Sequence, residues 1–257
     1  MSGLHVGRRG RGATPLVMIH GWAMHGGILG PLCDELDARF DMHVVDLPGH
    51  GYSRDSSIPL EPLACAKAVA EATPPAIWLG WSLGGLVALT AALDLSPQVL
   101  GVVPVCSTPR FVRSDDWPQG NDAAMVRKLA ADLEANYKAT VDRFIALEAM
   151  GSEDPRAETR RLMTEAYSRG EPDPRVLMEG IRLLESADLR PRLPELSQPN
   201  LWIAGRRDRI VHPDAMRWSA QAAGGSFAEI AHAGHAPFIG HAAALADVLH
   251  RFAEEHA

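Results

Sequence analysis

At 257 residues, with 46% hydrophobic and 22% charged side chains, the chain has the composition of an ordinary globular protein and enough apolar residues for a full core, read as one large domain with an insertion. Its formal net charge of −7 argues against a nucleic-acid or anionic-membrane surface. Cys33, Cys65 and Cys106 lack paired spacing and read as reduced, buried thiols of a cytoplasmic protein; the N-terminal arginines carry no apolar secretory core, and no apolar run is long enough to span a membrane.

In chain order, Leu16 to His20 reads as a strand that runs into His20-Gly21-Trp22. A helical stretch follows around Ile28 to Leu36, then a second strand over Met42 to Asp46 and a turn-rich loop, Leu47-Pro48-Gly49-His50-Gly51-Tyr52-Ser53. A helix around Leu63 to Ala72 precedes the strand Ala76-Ile77-Trp78-Leu79, an apolar helical stretch from Leu86 to Leu93, and the strand Val99 to Val105. This alternation implies an α/β fold with a mainly parallel sheet covered by helices. From about 111 to 187 no strand is evident, only helical stretches broken near Gly151 to Pro155 and Gly170 to Pro174. The sheet pattern resumes at Asn200 to Gly205 and again at Ser226 to Ile230. The expected division is a core of 1–110 and 188–257 with a helical lid over 111–187.

Gly80-Trp81-Ser82-Leu83-Gly84 sits between an apolar strand and an apolar helix, the context of a nucleophile elbow. The turn strains the serine backbone and exposes its hydroxyl above the sheet edge. A serine hydroxyl needs a base in hydrogen-bond reach and a third group to orient that base. In this chain order the acid comes next, and Asp208, just past a strand end, is expected, with Asp214 as competitor. His235, in Gly234-His235-Ala236-Pro237-Phe238, is the expected base, and His232 the decoy. Two donors should hold the oxyanion: the Leu83 N–H at a helix start and the Trp22 N–H from the loop after the first strand. Trp22 and Trp81 are expected to line the pocket. His20, His50 and His212 share no metal-ligand spacing, so neither a metal nor a cofactor is expected.

With these motifs in order, the chain resembles the α/β-hydrolase superfamily over essentially its whole length. It is similar in particular to the carrier-protein methyl ester esterases of biotin synthesis, through Ile77 to Ala88, Val44 to Gly49, Asp116-Trp117-Pro118, Arg143 to Gly151 and His235 to Ile239. The resemblance implies that Ser82 attacks the methyl ester at the far end of a pimeloyl chain borne by an acyl-carrier protein, with Trp22, Ser82, Leu83, Phe144, Ile145, Ala146, Leu147, Glu148 and His235 around the substrate. It also implies carrier docking at Arg143, Arg156 and Arg160, the last two four apart on one helix side, although residues 110–187 hold more acidic than basic side chains overall. The alternative is a general short-chain carboxylesterase acting on small acyl esters without a carrier; a non-catalytic receptor of the same fold is a more distant one. A monomer is expected.

Overall fold

The computed structural model describes residues 3–256. Seven strands form one sheet: β1 (His5–Arg9), β2 (Thr14–Ile19), β3 (Phe40–Asp46), β4 (Ala76–Trp81), β5 (Val99–Val105), β6 (Leu201–Gly205) and β7 (Ser226–Ile230), in the spatial order β1-β3-β2-β4-β5-β6-β7. Strand β1 runs antiparallel to β3; the other pairings of the sheet are parallel. The central strands are buried end to end because helices cover both faces, which is why they read as continuous apolar runs rather than alternating ones.

The flanking helices are α1 (Gly30–Leu36), α2 (Pro62–Ala72), α3 (Leu83–Asp94), α8 (Pro213–Ala222), the short α9 (Pro237–Gly240) and α10 (Ala242–His256). In α3 every residue from Leu83 to Ala92 is buried, as an all-round apolar helix between layers must be. Strand β1 escapes the sequence reading because Gly7, Arg8 and Arg9 mask the strand pattern. Pairing with β3 holds it instead, with Arg8 reaching Asp41 at 2.7 Å. Helices α8 and α10 also lie beyond the elements named from sequence; α10 packs on α1 and buries Leu245, Leu249 and Phe252, the last against Gly101 of β5.

Between β5 and β6 the chain builds four helices: α4 (Ala123–Ala135), α5 (Tyr137–Glu148), α6 (Pro155–Ala166) and α7 (Pro174–Ser186). Each begins at a side-chain cap. Asp122, Asn136, Asp154 and Asp173 accept N–H groups of Ala124, Ala139, Ala157 and Arg175, and Pro155 and Pro174 occupy first-turn positions that need no donor. The break at Asn136 escapes the sequence reading, since no glycine or proline marks it.

Candidate active site

Strand β4 ends at Trp81 and α3 starts at Leu83, so Ser82 makes the whole turn. Its φ of 53° and ψ of −119° lie where L-residues are strained, a conformation found where the surroundings over-determine it. Those surroundings are specific: Ser82 N–H donates to Val105 O at 3.0 Å, and Ser82 O accepts from Gly85 N–H and from Ser107 Oγ at 2.6 Å. A Cβ on Gly80 would lie 2.3 Å from the Gly84 carbonyl oxygen, so the flanking glycines are what let strand and helix meet.

Asp208 and His235 come from the carboxyl ends of β6 and β7, on the same sheet edge. Ser82 Oγ lies 2.9 Å from His235 Nε2, and His235 Nδ1 donates to Asp208 Oδ2 at 2.8 Å. The other Asp208 oxygen accepts the N–H groups of Ile210 and Val211 at 2.8 and 3.0 Å, so the carboxylate cannot rotate away. Trp81 Nε1 donates to His235 O at 2.8 Å and fixes the backbone of the histidine from the strand that carries the serine. All three side chains are buried. By contrast Asp214 lies at the surface beside His212 and Arg217, and exposed His232 accepts from Arg207.

The structure brings the two expected oxyanion donors to the same place. Leu83 opens α3, with the positive end of the helix behind its N–H. Loop 20–27 passes so close that a Cβ on Gly21 would sit 3.0 Å from Ser82 Cβ, and the next residue is Trp22. Among the described residues, neither the Leu83 nor the Trp22 N–H donates to another group.

The histidines nearby are tied to the backbone. His20 donates Nδ1–H to Gly21 O and accepts Leu47 N–H at Nε2, and His50 donates to Pro48 O. Burial above all pushes His20 down to about 3 and His50 down to about 4, so both are neutral. Cys106 Sγ, Asp208 and His235 lie within 4.8 Å of one another, but the acid and base bond to each other and the sulfur accepts Gly205 N–H. All three cysteines are buried free thiols, and burial raises each one's pKa.

Next to Ser82 is a pocket of about 90 Å³, walled almost wholly by apolar groups from the insertion and its flanks: Phe111, Met125, Leu129, Phe144, Leu147 and Leu184. A larger groove of about 710 Å³ between α1 and α6 lies away from Ser82. Of the α5 segment, Phe144 and Leu147 face the pocket, whereas Ile145 is buried within the insertion and neither Ala146 nor Glu148 lines the cavity. Glu148 is fully buried with both carboxylate oxygens unpartnered, and its carbonyl packs against Gly234. Burial, reinforced by Asp208 and Glu158, raises its pKa well above the usual carboxylate range, and burial raises Glu158 to about 7. Trp22 packs edge-on against Phe144, which lines the pocket, with ring centroids 4.7 Å apart, and Trp81 turns inward against Phe238; neither tryptophan lines the pocket itself, nor do Leu83 and His235.

Arg156 and Arg160 are exposed on α6 without an ion-pair partner among the described residues, and Arg160 borders the larger groove. Arg143 is exposed on α5 but already bonded to Asp132 at 3.2 Å.

A strained serine between strand and helix, a histidine and acid from later strands, and two free N–H groups beside them define a serine hydrolase of the α/β class. The chain belongs to the Alpha/beta hydrolase family, whose pattern matches residues 16–248. It is 50% identical over 250 residues to the pimeloyl-[acyl-carrier protein] methyl ester esterase of Stenotrophomonas maltophilia strain R551-3, covering 97% of this chain and 96% of that one. It is 47% identical to the enzyme of the same name from Xanthomonas oryzae pv. oryzae, covering 97% and 98%. An esterase from Exiguobacterium antarcticum superposes with a TM-score of 0.87 at 20% identity, covering 98% and 95%, and an enol-lactonase from Burkholderia xenovorans LB400 with 0.84 at 20%, covering 98% and 96%; both show the shared fold. Among the described residues no helix is long and apolar enough to cross a membrane.

Proposed function

We propose that this chain is a carboxylesterase that hydrolyses the methyl ester of pimeloyl-[acyl-carrier protein], releasing methanol and the free carboxylate in biotin synthesis. The near-full-length identity to esterases of that name carries the substrate, and the hydrogen-bonded chain from Ser82 to His235 to Asp208 supports the chemistry. His235 Nε2 takes the Ser82 proton as Oγ adds to the ester carbonyl, and the oxyanion forms between the Leu83 and Trp22 N–H groups. Collapse expels methoxide with the proton from His235. Water then adds to the acyl-serine, giving its proton to His235, which returns it to Ser82. Asp208 holds the imidazole in the tautomer that both steps need.

The helical insertion over 111–187 acts in this reading as a lid, and Phe144 and Leu147 as the wall along the acyl chain. An acidic carrier protein docks on Arg156 and Arg160, with Arg143 of α5 as a further cation, and its reach determines which carbonyl arrives at Ser82. The small size of the pocket favours a second reading, a general short-chain carboxylesterase. Turnover of pimeloyl-carrier-protein methyl ester beside a p-nitrophenyl short-chain ester, with wild type and Ser82→Ala, tests the two. Ser82-dependent turnover of the carrier-bound ester is expected; turnover of the small ester alone would leave the general esterase.

A further inference from the structure

Loop 20–27 is tied to the insertion at three points, and each tie is specific. Trp22 Nε1 donates to Leu177 O of α7 at 2.9 Å, and the ring fits there because residue 180 is glycine: a Cβ at that position would lie 2.6 Å from Trp22 Cδ1. His25 accepts Gly27 N–H at Nδ1, which leaves Nε2 to donate to Glu165 O of α6 at 2.6 Å. Gly26 N–H donates to Asp46 Oδ1 at 2.7 Å, and Arg169, in the turn between α6 and α7, places Nη1 3.0 Å from both Asp46 oxygens.

The Asp46 side chain is fully buried, and Arg169 is its one ion-pair partner among the described residues. The Arg169 guanidinium also lies over the Tyr52 ring at 4.7 Å, while Tyr52 N–H donates to Asp46 Oδ2 at 2.8 Å. A buried carboxylate that must keep its cation makes a stiff joint, since separating the pair strands a charge in the interior. Through Gly26, the joint meets the same short loop that carries the Trp22 N–H.

We propose that Arg169 is a positioning residue for hydrolysis: paired with Asp46, it fixes loop 20–27 and thereby the Trp22 N–H, so the oxyanion hole is complete only while the insertion is seated on the core. This rests on the reading of Ser82 as nucleophile and Trp22 N–H as oxyanion donor. A donor displaced rather than deleted loses part of the roughly hundredfold or more that a whole donor supplies.

The test uses the full chain with Arg169→Lys and the double variant Arg169→Met/Asp46→Asn. The asparagine amide oxygen keeps the acceptor for Gly26 N–H and leaves no buried charge, while its nitrogen replaces the acceptor of Tyr52 N–H, so circular dichroism and melting temperature first establish that the double variant is folded. On p-nitrophenyl butyrate the double variant should lose about tenfold in kcat with KM within about twofold. Affinity for a trifluoromethyl ketone, whose Ser82 adduct places an oxyanion in the hole, should fall by the same factor. Amide exchange across 20–27 should accelerate, and Arg169→Lys should stay within about threefold of wild type. A folded double variant with kcat, ketone affinity and loop exchange all within about twofold of wild type would overturn the proposal. So would a loss in KM and thermal stability with ketone affinity unchanged. Failure of the esterase reading shows separately, as wild-type hydrolysis that survives Ser82→Ala, and the exchange rates across 20–27 would then decide whether Arg169 holds the loop.

Discussion

The sheet edge that carries Ser82, Asp208 and His235 and the insertion above it treat buried polar groups in opposite ways. At the sheet edge the side-chain polar atoms of Ser82, His235 and Asp208 all have partners, and the Ser82 carbonyl is engaged as well. In the insertion, Glu148 is buried with neither oxygen bonded, and Glu158 has one bare oxygen. The first region is preorganised, so no reorganisation is needed as charge develops. The second shapes an apolar wall and retains carboxyls whose protonation its stability depends on. In the proposed reading, chemistry and substrate selection are therefore held by separate parts of one chain.

Variants of the first region should have the largest effects. Ser82→Ala should lower kcat for any ester by about 10⁶-fold, and Asp208→Asn, which leaves the geometry but not the tautomer, by about 10⁴-fold. Steady-state assays with protein of unchanged melting temperature check both. Variants of the pocket wall should be milder and substrate-dependent. Phe144→Ala and Leu147→Ala should each cost about tenfold on a six-carbon acyl ester and less than about threefold on an acetyl ester, the scale of one lost apolar contact. Equal losses on both esters would erase the division between the regions. Arg156→Glu with Arg160→Glu should slow the carrier-bound ester about fivefold, relieved by salt, and leave p-nitrophenyl acetate unchanged.

The remaining effect concerns stability rather than turnover, and its sign differs between the regions. His20 and His50 have folded values of about 3 and 4, below their ordinary 6.5, so the unfolded chain binds more protons as pH falls. Their contribution is present above pH 6.5 and is lost on acidification towards pH 4. Glu158 is raised from 4.5 to about 7, so its contribution is present below pH 4.5 and is lost as pH rises through 7. Glu158→Gln should therefore add about 2 kcal/mol at about pH 8 and nothing near pH 4, read by urea unfolding at the two pH values.

The sheet edge was the more legible region. Glycines at 80 and 84, an apolar run before them and a strand before each of Asp208 and His235 declare their roles locally, because a turn or a strand end is a short-range event. The choice of Asp208 over Asp214 follows from distance to the strand, and the structure leaves Asp214 exposed. The ties between loop 20–27 and the insertion were not legible. Arg169 and Asp46 lie 123 residues apart, and Gly180 looks like any helical glycine until Trp22 is packed against it. Glu148 illustrates the same limit: the resemblance places it around the substrate with Phe144 and Leu147, whereas the structure buries it and leaves it out of the pocket lining.

Ser82 and His235 are separated by 153 residues, and the strand bearing Asp208 follows the entire insertion. Recovery of the active constellation during refolding must therefore wait for the most distant pairing in the sheet, that of β5 with β6 across the insertion, which sets Val105 against Ile203. Helices close over local contacts and recover early, whereas such long-range parallel pairing is slow. Ester hydrolysis thus serves as a clock for the last stage of folding, and after dilution from denaturant it should return later than the helical signal.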